Sequence, residues 1–374
     1  MKTGWQTKNL GDLCRIRTGK KDVNQGNPDG KFPFFTCAAE HTFSDNYSFD
    51  TEALLIAGNG DVGKVSYYNG KFEAYQRTYV LSDFAEVSPR FLYLILDGKL
   101  RDTVSKQKLG NTMPYIKVGM LTDFQLPVPP LAEQQRVVGL LDEAFAGLAT
   151  AKANAKKNLQ NARALFESHL QSVYTQRGPG WQTKKLGDVS DVMNGGTPKT
   201  GVPEYWAGQH RWITPAEMGK RVSPYVSDTE RKITDLGLRD SSARMLPPNS
   251  VILSSRAPIG HLVINTEPMG TNQGCKGLIP HSQIETKFLY YYLSSIVDLL
   301  NSLGTGATFK ELSGGKLKEV TVPVPSLAEQ QKIGAKLDRL AEETQRLARL
   351  YERKQAALEA LKKSLLHQAF TGEL

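Results

Sequence analysis

Two long stretches of the chain carry apolar residues at steps of three and four positions, the spacing of one face of a helix. The first covers residues 131–176 and the second begins at residue 327. Prolines precede both stretches but none interrupts them, so a helix can continue through each. The pattern predicts two helices, each of about 44 residues and roughly 66 Å. Since both carry one apolar seam, we expect them to pair as an antiparallel coiled coil.

The remaining regions alternate short apolar runs with turns rich in glycine and asparagine, a pattern typical of β-strands. One helix is predicted in each region, over residues 89–106 and 287–304. Each region is long enough to bury its own core. The predicted organisation is α+β, with a globular domain at 1–130, a long helix at 131–176, a second globular domain at 177–326, and a long helix with a tail at 327–374.

The chain contains an internal repeat. GWQTKNLGDL at 4–13 returns as GWQTKKLGDV at 180–189, and PVPPLAEQQRVVGLLD at 127–142 returns as PVPSLAEQQKIGAKLD at 323–338. The second copy holds twenty more residues between these markers than the first. Similar ends around unlike middles predict a pseudo-two-fold scaffold that presents two different recognition surfaces.

Composition narrows the class of protein only a little. The net charge is +9 and the isoelectric point lies near 9.2, which fits a nucleic-acid partner without requiring one. The basic residues are spread along the chain, so folding must gather any DNA-binding surface. Cys14, Cys37 and Cys275 show no disulfide or zinc spacing. No apolar run suits a membrane span or a signal core, and we therefore expect a cytoplasmic protein.

The segment EALLIAGNGDVGKVSYY, residues 52–68, contains a G-x-G-x-x-G motif formed by Gly58, Gly60 and Gly63. Such a motif after an apolar strand can bind a dinucleotide phosphate. Asp83 lies about where the ribose-binding carboxylate of that fingerprint would be sought. A nucleotide-dependent enzyme is therefore one interpretation of this segment.

The repeat argues against a nucleotide site. An offset of 197 places Ser255 and Ala257 where the first two glycines stand, and only Gly260 matches Gly63. The residues after Gly63 alternate and end in Asn-Gly at 69–70, a hairpin signal, where the fingerprint needs a helix. The segment therefore predicts a strand–turn–strand unit shared by both domains, with the matched glycines at the turn and Asp83 as a turn residue.

Motifs for catalysis are missing from the sequence. An adenine methyltransferase needs an Asn/Asp-Pro-Pro-aromatic segment, and neither Pro129-Pro130 nor Pro247-Pro248 has those neighbours. No phosphate-binding G-x-x-x-x-G-K-[ST] segment occurs, and the six histidines show no metal-binding spacing. The sequence therefore offers no recognisable catalytic or metal-binding motif.

The repeat and its motifs resemble the specificity subunits of type I restriction-modification systems. The resemblance rests on the duplicated plan of variable domain and LAEQQ-headed long helix, and on the closing HQAFTGEL at 367–374. GGTPKT at 195–200, SSRAPIGHLVI at 254–264 and TNQGCKGL at 271–278 look like framework motifs of that family's target-recognition domains. The resemblance covers essentially the whole chain.

The resemblance implies a non-catalytic subunit that reads a two-part site on double-stranded DNA, one half per target-recognition domain. It also implies that the long helices set the spacer and that the chain holds two copies of a methyltransferase subunit, with motor-nuclease subunits joined through them. S-adenosylmethionine would bind only to the methyltransferase partners, so no cofactor is expected on this chain.

Two further interpretations stay open. The chain could serve a restriction enzyme whose cleavage and methylation activities share one polypeptide. It could also be a tandem protein-interaction adaptor, in which the coiled coil separates two protein-binding domains.

Basic and amide side chains in predicted turns are the candidates for DNA contact. Arg, Lys, Asn and Gln read base edges, whereas Lys, Ser, Thr and backbone N–H groups hold phosphates. The alternative for each candidate is an ordinary side chain that is exposed to solvent or hydrogen-bonded in the core. At the shared turn, residues 59–61 and 256–258 differ, and we expect them to face different half-sites. The candidates are Lys20, Lys21, Asn59, Lys64, Lys106, Lys108 and Thr112 in the first domain and Thr197, Lys199, Arg211, Lys220, Arg256 and Lys310 in the second.

Overall fold

The computed structural model describes residues 4–107, 109, 114–306 and 310–374, and for 105–107 it describes the backbone alone. The chain divides into two compact units. The first unit comprises the residues up to 157 together with 351–374, and the second comprises 158–350. Each unit therefore contains one globular region together with parts of both long helices.

The first unit is built around a six-stranded sheet in the order β2-β7-β5-β6-β3-β4, and β1 pairs separately with β8. The strands are β1 Gln6–Asn9, β2 Arg15–Thr18, β3 Phe32–Phe35, β4 Thr42–Ser44, β5 Phe49–Ala57, β6 Val65–Ala74, β7 Thr78–Ser82 and β8 Gln125–Val128. The helices are α1 Leu10–Leu13, α2 Pro89–Gln107, α3 Val118–Thr122 and α4 Leu131–Thr175, of which the last continues into the second unit.

The core of the first unit lies between this sheet and helix α2. Strand β5 carries the continuous apolar run ALLIA, all of it buried, as expected for a central strand covered on both faces. Phe91, Leu92 and Ile95 of α2 are fully buried in the same cluster as Leu54 and Ile56 of β5. Helix α2 confirms the helix predicted over residues 89–106.

The second unit contains a five-stranded sheet, β10-β18-β15-β16-β12, and a four-stranded sheet, β13-β11-β17-β14, while β19 pairs with β9. The strands are β9 Gln182–Lys185, β10 Ser190–Asn194, β11 Trp206–Ile213, β12 Tyr225–Val226, β13 Arg231–Ile233, β14 Met245–Leu246, β15 Val251–Ser254, β16 Leu262–Asn265, β17 Met269–Thr271, β18 Cys275–Pro280 and β19 Thr321–Val324. The helices are α5 Leu186–Val189, α6 Pro215–Met218, α7 Asp235–Arg239, α8 Thr286–Ser295, α9 Val297–Leu303, α10 Gly314–Glu319 and α11 Leu327–Thr371.

The helix predicted over residues 287–304 is wrong as a single element, because it divides into α8 and α9 at Ile296. Two serines precede the break. The hydroxyl of Ser294 donates to the carbonyl of Tyr290 at 2.9 Å, and that of Ser295 donates to the carbonyl of Tyr292 at 2.7 Å. Hydroxyls that bond to preceding carbonyls compete with helical hydrogen bonds and favour a bend there.

The repeat in the sequence is also a repeat in strand register. In the first unit Ile56 of β5 pairs with Tyr79 of β7, and in the second unit Leu253 of β15 pairs with Lys276 of β18. Both members of the second pair follow those of the first by 197 residues. The two units therefore share one scaffold of paired strands, as the repeat predicted.

The two long helices are present, and each is 45 residues long. Within the first unit the beginning of α4 runs antiparallel to the end of α11. Lys152 of α4 forms an ion pair with Glu359 of α11. Phe145, earlier in α4, lies under the ammonium group of Lys362, which comes later in α11. That ammonium lies 5.2 Å from the ring centroid of Phe145. These contacts confirm the antiparallel coiled coil in this unit.

The LAEQQ motif anchors each long helix to the domain that precedes it. Gln134 is fully buried, donates to the carbonyls of Pro129 at 2.8 Å and Glu86 at 3.0 Å, and accepts from the N–H of Ser88 at 2.7 Å. One side chain thereby satisfies three backbone groups that would otherwise lack partners.

Gln330 repeats this arrangement in the second unit. It donates to Pro325 at 2.9 Å and Gln283 at 3.0 Å and accepts from the N–H of Glu285 at 2.8 Å. The first glutamine of the motif therefore fixes the start of the helix in both units.

The hairpin predicted at Asn69-Gly70 is wrong. Strand β6 runs unbroken through both residues, with Asn69 opposite Glu52 and Gly70 opposite Thr51 of β5. The Asn-Gly pair does not form a turn here, because the nine-residue strand β5 pairs with β6 through a continuous ladder of hydrogen bonds.

Candidate DNA interface

Three segments meet beside the shared turn in each unit. In the first unit the N–H of Gly58 donates to the carbonyl of Arg77 at 3.0 Å, and the N–H of Ile116 donates to that of Gly58 at 2.9 Å. These bonds join the turn at 58–63 to the β6–β7 link and to the segment after α2. The turn, the link and that segment form one surface, which we call the turn surface of the first unit.

The second unit builds the same surface from equivalent residues. The N–H of Ser255 donates to the carbonyl of Gly274 at 2.7 Å, and the N–H of Leu312 donates to that of Ser255 at 2.9 Å. The turn at 255–260, the β17–β18 link at 272–274 and the described residues 305–306 and 310–312 therefore form the turn surface of the second unit. Equivalent backbone bonds join the three segments in both units.

The matched glycines are required by the geometry of the turn. Gly63 has φ +78°, its N–H donates to the carbonyl of Ala57 at 2.9 Å, and an added Cβ would lie 2.8 Å from Cγ2 of Val104. Gly260 has φ +113°, donates to Ser254 at 3.0 Å and would place a Cβ 2.5 Å from Cγ1 of Val297. The predicted strand–turn–strand unit is therefore confirmed.

The context that a dinucleotide fingerprint needs is not found at Gly63. The turn leads into strand β6, whereas phosphate binding requires the N-terminus of a helix there. Asp83 follows β7 with φ +55°, a conformation of turns. The glycine motif thus serves the turn, and nothing in its geometry forms a phosphate cradle.

Thr197 and Lys199 lie on a loop that is tied to the turn surface of the second unit. The hydroxyl of Thr197 accepts from Nδ2 of Asn272 at 3.0 Å and from the N–H of Gln273 at 3.3 Å. Two indoles fix the rest of the loop, since Trp212 donates to the carbonyl of Gly196 at 2.9 Å and Trp206 to that of Lys199 at 3.3 Å. The Lys199 side chain is exposed at the end of this fixed loop.

Arg256 and Lys310 belong to the same surface. The NH1 group of Arg256 lies 3.2 Å from Oε2 of Glu311, and Lys310, the preceding residue, is exposed. Nζ of the buried Lys276 lies 3.8 Å from Oε1 of Glu311. Burial lowers the pKa of Lys276, and the nearby Glu311 carboxylate opposes that shift. The second unit therefore brings together four of the predicted residues: Thr197, Lys199, Arg256 and Lys310.

Arg211 and Lys220 are engaged elsewhere, in ion pairs with residues that precede strand β13. Nε of Arg211 lies 3.5 Å from Oδ1 of Asp228, which Lys232 also approaches at 3.0 Å. The hydrogen bond from Lys232 is the chief cause that lowers the pKa of Asp228. Lys220 lies 3.3 Å from Glu230. Both cations are thus partly neutralised within the protein.

In the first unit only some of the predicted residues are solvent-facing. Lys20 is exposed, whereas the neighbouring Lys21 lies 3.3 Å from the fully buried carboxylate of Glu73. Lys64 donates to the carbonyl of Ala39, and Asn59 is buried and forms a backbone bridge with Tyr115. Lys21 and Lys64 are thus engaged within the protein, whereas the Lys20 side chain faces solvent.

The remaining predicted residues lie outside the described part of the chain. Lys108 and Thr112 are not described, and Lys106 is described by its backbone alone, in the last turn of α2. They stay predictions.

Sequence reasoning missed Glu311, Lys276, Trp206 and Trp212. A lysine within the apolar strand CKGLIP signals a buried charge that needs a partner, and this signal could have singled out Lys276. Glu311, 55 residues from Arg256, gave no local signal.

Other site chemistry is not found in the described residues. No group of histidine, cysteine and carboxylate side chains there is placed to hold a metal ion. The three cysteines are buried, and burial raises the pKa of both Cys14 and Cys275 to about 12, so neither thiol is poised to ionise. Among the described helices, none offers a stretch apolar and long enough to cross a bilayer.

Curated relatives are specificity subunits. The chain is 26% identical over 416 aligned positions to the type I restriction enzyme EcoDI specificity subunit of Escherichia coli, a match that covers 99% of this chain and 88% of the relative. It is 40% identical over 159 residues to the MjaIX specificity subunit of Methanocaldococcus jannaschii, a match that covers 42% of this chain and 37% of that relative.

Solved structures share the fold. One chain comes from a structural study of complex assembly and conformational transition of the type I R-M system. It aligns with a TM-score of 0.81 at 20% identity, and the alignment covers 100% of this chain and 99% of that chain. The HsdS subunit of Thermoanaerobacter tengcongensis aligns with a TM-score of 0.62 at 20% identity and covers 100% of this chain and 98% of its own.

The family model described as type I restriction modification DNA specificity domain matches residues 2–160 and again residues 179–355. The two matches fall on the two copies of the repeat. The chain therefore belongs to the type I restriction-modification specificity family, as a specificity subunit with two recognition domains.

Proposed function

We propose that this chain is the non-catalytic DNA-reading subunit of a type I restriction-modification complex, and that each recognition domain reads one half of a two-part site. The observation that carries the proposal is the pair of turn surfaces. One backbone arrangement places the buried Asn59 in the first domain and the partly exposed Arg256 in the second. A shared scaffold with unlike polar side chains suits the reading of two unlike half-sites.

The long helices supply a rod of suitable length for a fixed spacer. Each has 45 residues, which corresponds to about 68 Å. Successive major-groove faces recur about every 34–36 Å. A helix of this length is therefore long enough to span one to two turns of DNA.

The repeat also supports two copies of one methyltransferase partner. Leu165 on α4 and Leu361 on α11, 196 residues apart, are 66% and 47% exposed. Leu131 and Leu327 start the two helices and are likewise exposed. Each copy of the repeat therefore exposes apolar side chains at equivalent positions, so the same partner could bind once to each copy. S-adenosylmethionine would then be bound by those partners, and motor-nuclease subunits would join through them.

Methylome sequencing tests the proposal. The chain is co-expressed with its cognate methyltransferase subunit, in a host without other adenine methylation. We expect a two-part adenine motif that disappears when this chain is omitted. Methylation that is independent of the chain, or a motif without two parts, would contradict the proposal.

A further inference from the structure

The turn surface of the second domain carries three charged residues that act on one another. The carboxylate of Glu311 lies between two cations, with NH1 of Arg256 3.2 Å from Oε2 and Nζ of Lys276 3.8 Å from Oε1. The Lys276 side chain is 6% exposed and that of Arg256 is 34% exposed. Lys276 therefore holds the carboxylate from the protein interior, while Arg256 extends towards solvent.

The scaffold does not need these charges. The equivalent positions in the first domain hold Asn59, Tyr79 and Tyr115, all uncharged at neutral pH, and the same backbone bridge joins Asn59 to Tyr115 as joins Arg256 to Glu311. The backbone bonds that close the two turn surfaces have the same pattern. The charged set is thus an addition to the second domain rather than a condition of its fold.

The geometry leaves Arg256 able to make further contacts. Its N–H donates to the carbonyl of Gly274 at 3.3 Å, and Glu311 engages a terminal nitrogen of the guanidinium. A guanidinium carries five N–H donors in a planar fork, so one bond to Glu311 orients the group and leaves other donors for a ligand. Two cations and one carboxylate give the set a net positive charge, which attracts DNA.

The fork of an arginine matches O6 and N7 of guanine in the major groove, and this is the commonest specific contact between side chains and bases. A lysine at the same place would supply only a point charge. Asn59, at the equivalent position, is buried and lacks such a fork. At this pair of equivalent positions the contact is therefore available only to the residue of the second domain.

We propose that Arg256 reads a guanine in the half-site of the second domain, and that Glu311, held by Lys276, orients its guanidinium. The inference rests on the proposed function and names one residue and one base within it. Arg256 is the base-reading residue, and Glu311 and Lys276 are positioning residues.

The test compares methylomes of the assembled complex with the wild-type chain and with the variants Arg256→Lys, Glu311→Gln and Lys310→Ala. Arg256→Lys keeps the charge and the ion pair but removes the fork. We expect this variant to lower the preference for guanine over the other bases at one position of one half-site by roughly five- to a hundredfold. The preferences at the other positions should be unchanged. Glu311→Gln relaxes the same position to a smaller extent, since the guanidinium keeps a weaker acceptor.

Lys310→Ala is the matched control, because it removes a cation beside Glu311 without touching the fork. It lowers methylation evenly at all sites and leaves the motif unchanged. Thermal unfolding of each variant chain establishes that the fold is kept, and Arg256→Lys is the variant least able to disturb it.

Three outcomes would overturn the inference. The first is that the Arg256→Lys complex keeps the wild-type preference at every guanine position of the motif. The second is an even loss over all positions in both Arg256→Lys and Glu311→Gln. The third is a wild-type complex that methylates without a two-part motif, which would overturn the proposed function as well. The first two outcomes leave the proposed function standing.

Discussion

Phe370, near the end of helix α11, packs edge-on against Phe91 of helix α2, with ring centroids 5.9 Å apart. Both rings are buried in the core of the first unit. Tyr174, at the end of α4, has the equivalent contact with Phe288 of α8 at 5.1 Å in the second unit. The end of a long helix thus completes the core of each domain, which explains why the closing HQAFTGEL is part of the fold.

Phe370→Ala should destabilise the first unit by about 3–5 kcal/mol, because it removes a fully buried ring and leaves a cavity beside Phe91. Urea unfolding followed by circular dichroism measures the change. Leu361→Ala, a truncation of an exposed side chain on the same helix, should change the free energy of unfolding by less than about 0.5 kcal/mol. Equal effects of the two substitutions would show that Phe370 does not hold the core.

Gln134→Ala should cost about 2–4 kcal/mol, since it removes a fully buried amide that bonds to three backbone groups. The neighbouring Gln135, which is exposed, provides the control. Gln135→Ala should be nearly neutral. The comparison requires only the midpoints and slopes of chemical unfolding for the two variants, and a similar loss in both would reject the anchoring role of the motif.

Gly63→Ala and Gly139→Ala should have opposite effects. At Gly63 the positive φ and the contact with Val104 oppose a Cβ, so we expect a loss of about 1–3 kcal/mol. At Gly139, within α4, no atom other than the neighbouring backbone of the helix itself lies within 4 Å of the added Cβ. Alanine there should raise stability by about 0.5–1 kcal/mol. Thermal melting of both variants decides the matter, and a stabilised Gly63→Ala would disprove the turn argument.

Asp338 gives the second unit a dependence on alkaline pH. It accepts from Nζ of Lys287 at 2.6 Å and from the hydroxyls of Tyr291 at 2.7 Å and Tyr225 at 3.2 Å. The hydrogen bond to Asp338 is the chief cause that raises the pKa of Lys287, while burial, followed by the hydrogen bond to Asp338, raises that of Tyr291. Burial also raises the pKa of Tyr225.

These groups keep their protons in the folded chain at pH values where the unfolded chain releases them. Their contribution is therefore complete below about pH 10, and the free energy of unfolding falls as the pH rises past that value. Asp338→Asn should lower stability at neutral pH and make the alkaline fall shallower. Urea titrations across this range test it, with Asp298→Asn, an exposed site, as the control. An unchanged slope in Asp338→Asn would contradict the assignment.

The sequence predicted the elements whose signals are local or repeated. The seams of α4 and α11 extend over many turns, so their period identified the helices, and the two-copy comparison identified Gly63 and Gly260 as turn residues. Local signals failed where a neighbouring element decided the outcome. Asn69-Gly70 continues a strand because β5 pairs with it, and the helix over 287–304 divides at Ile296.

The sequence by itself determined the class of the protein through its resemblance to a known family, because the duplicated plan and the order of the motifs that carry the resemblance can be read along one chain. Only the tertiary structure decided what individual side chains do. Lys21, a candidate for DNA contact, lies against the buried Glu73, and Arg256 meets Glu311 across 55 residues of chain. Charge, burial and hydrogen bonding depend on distance in space, and distances between remote residues are set only when the strands pair and the cores close.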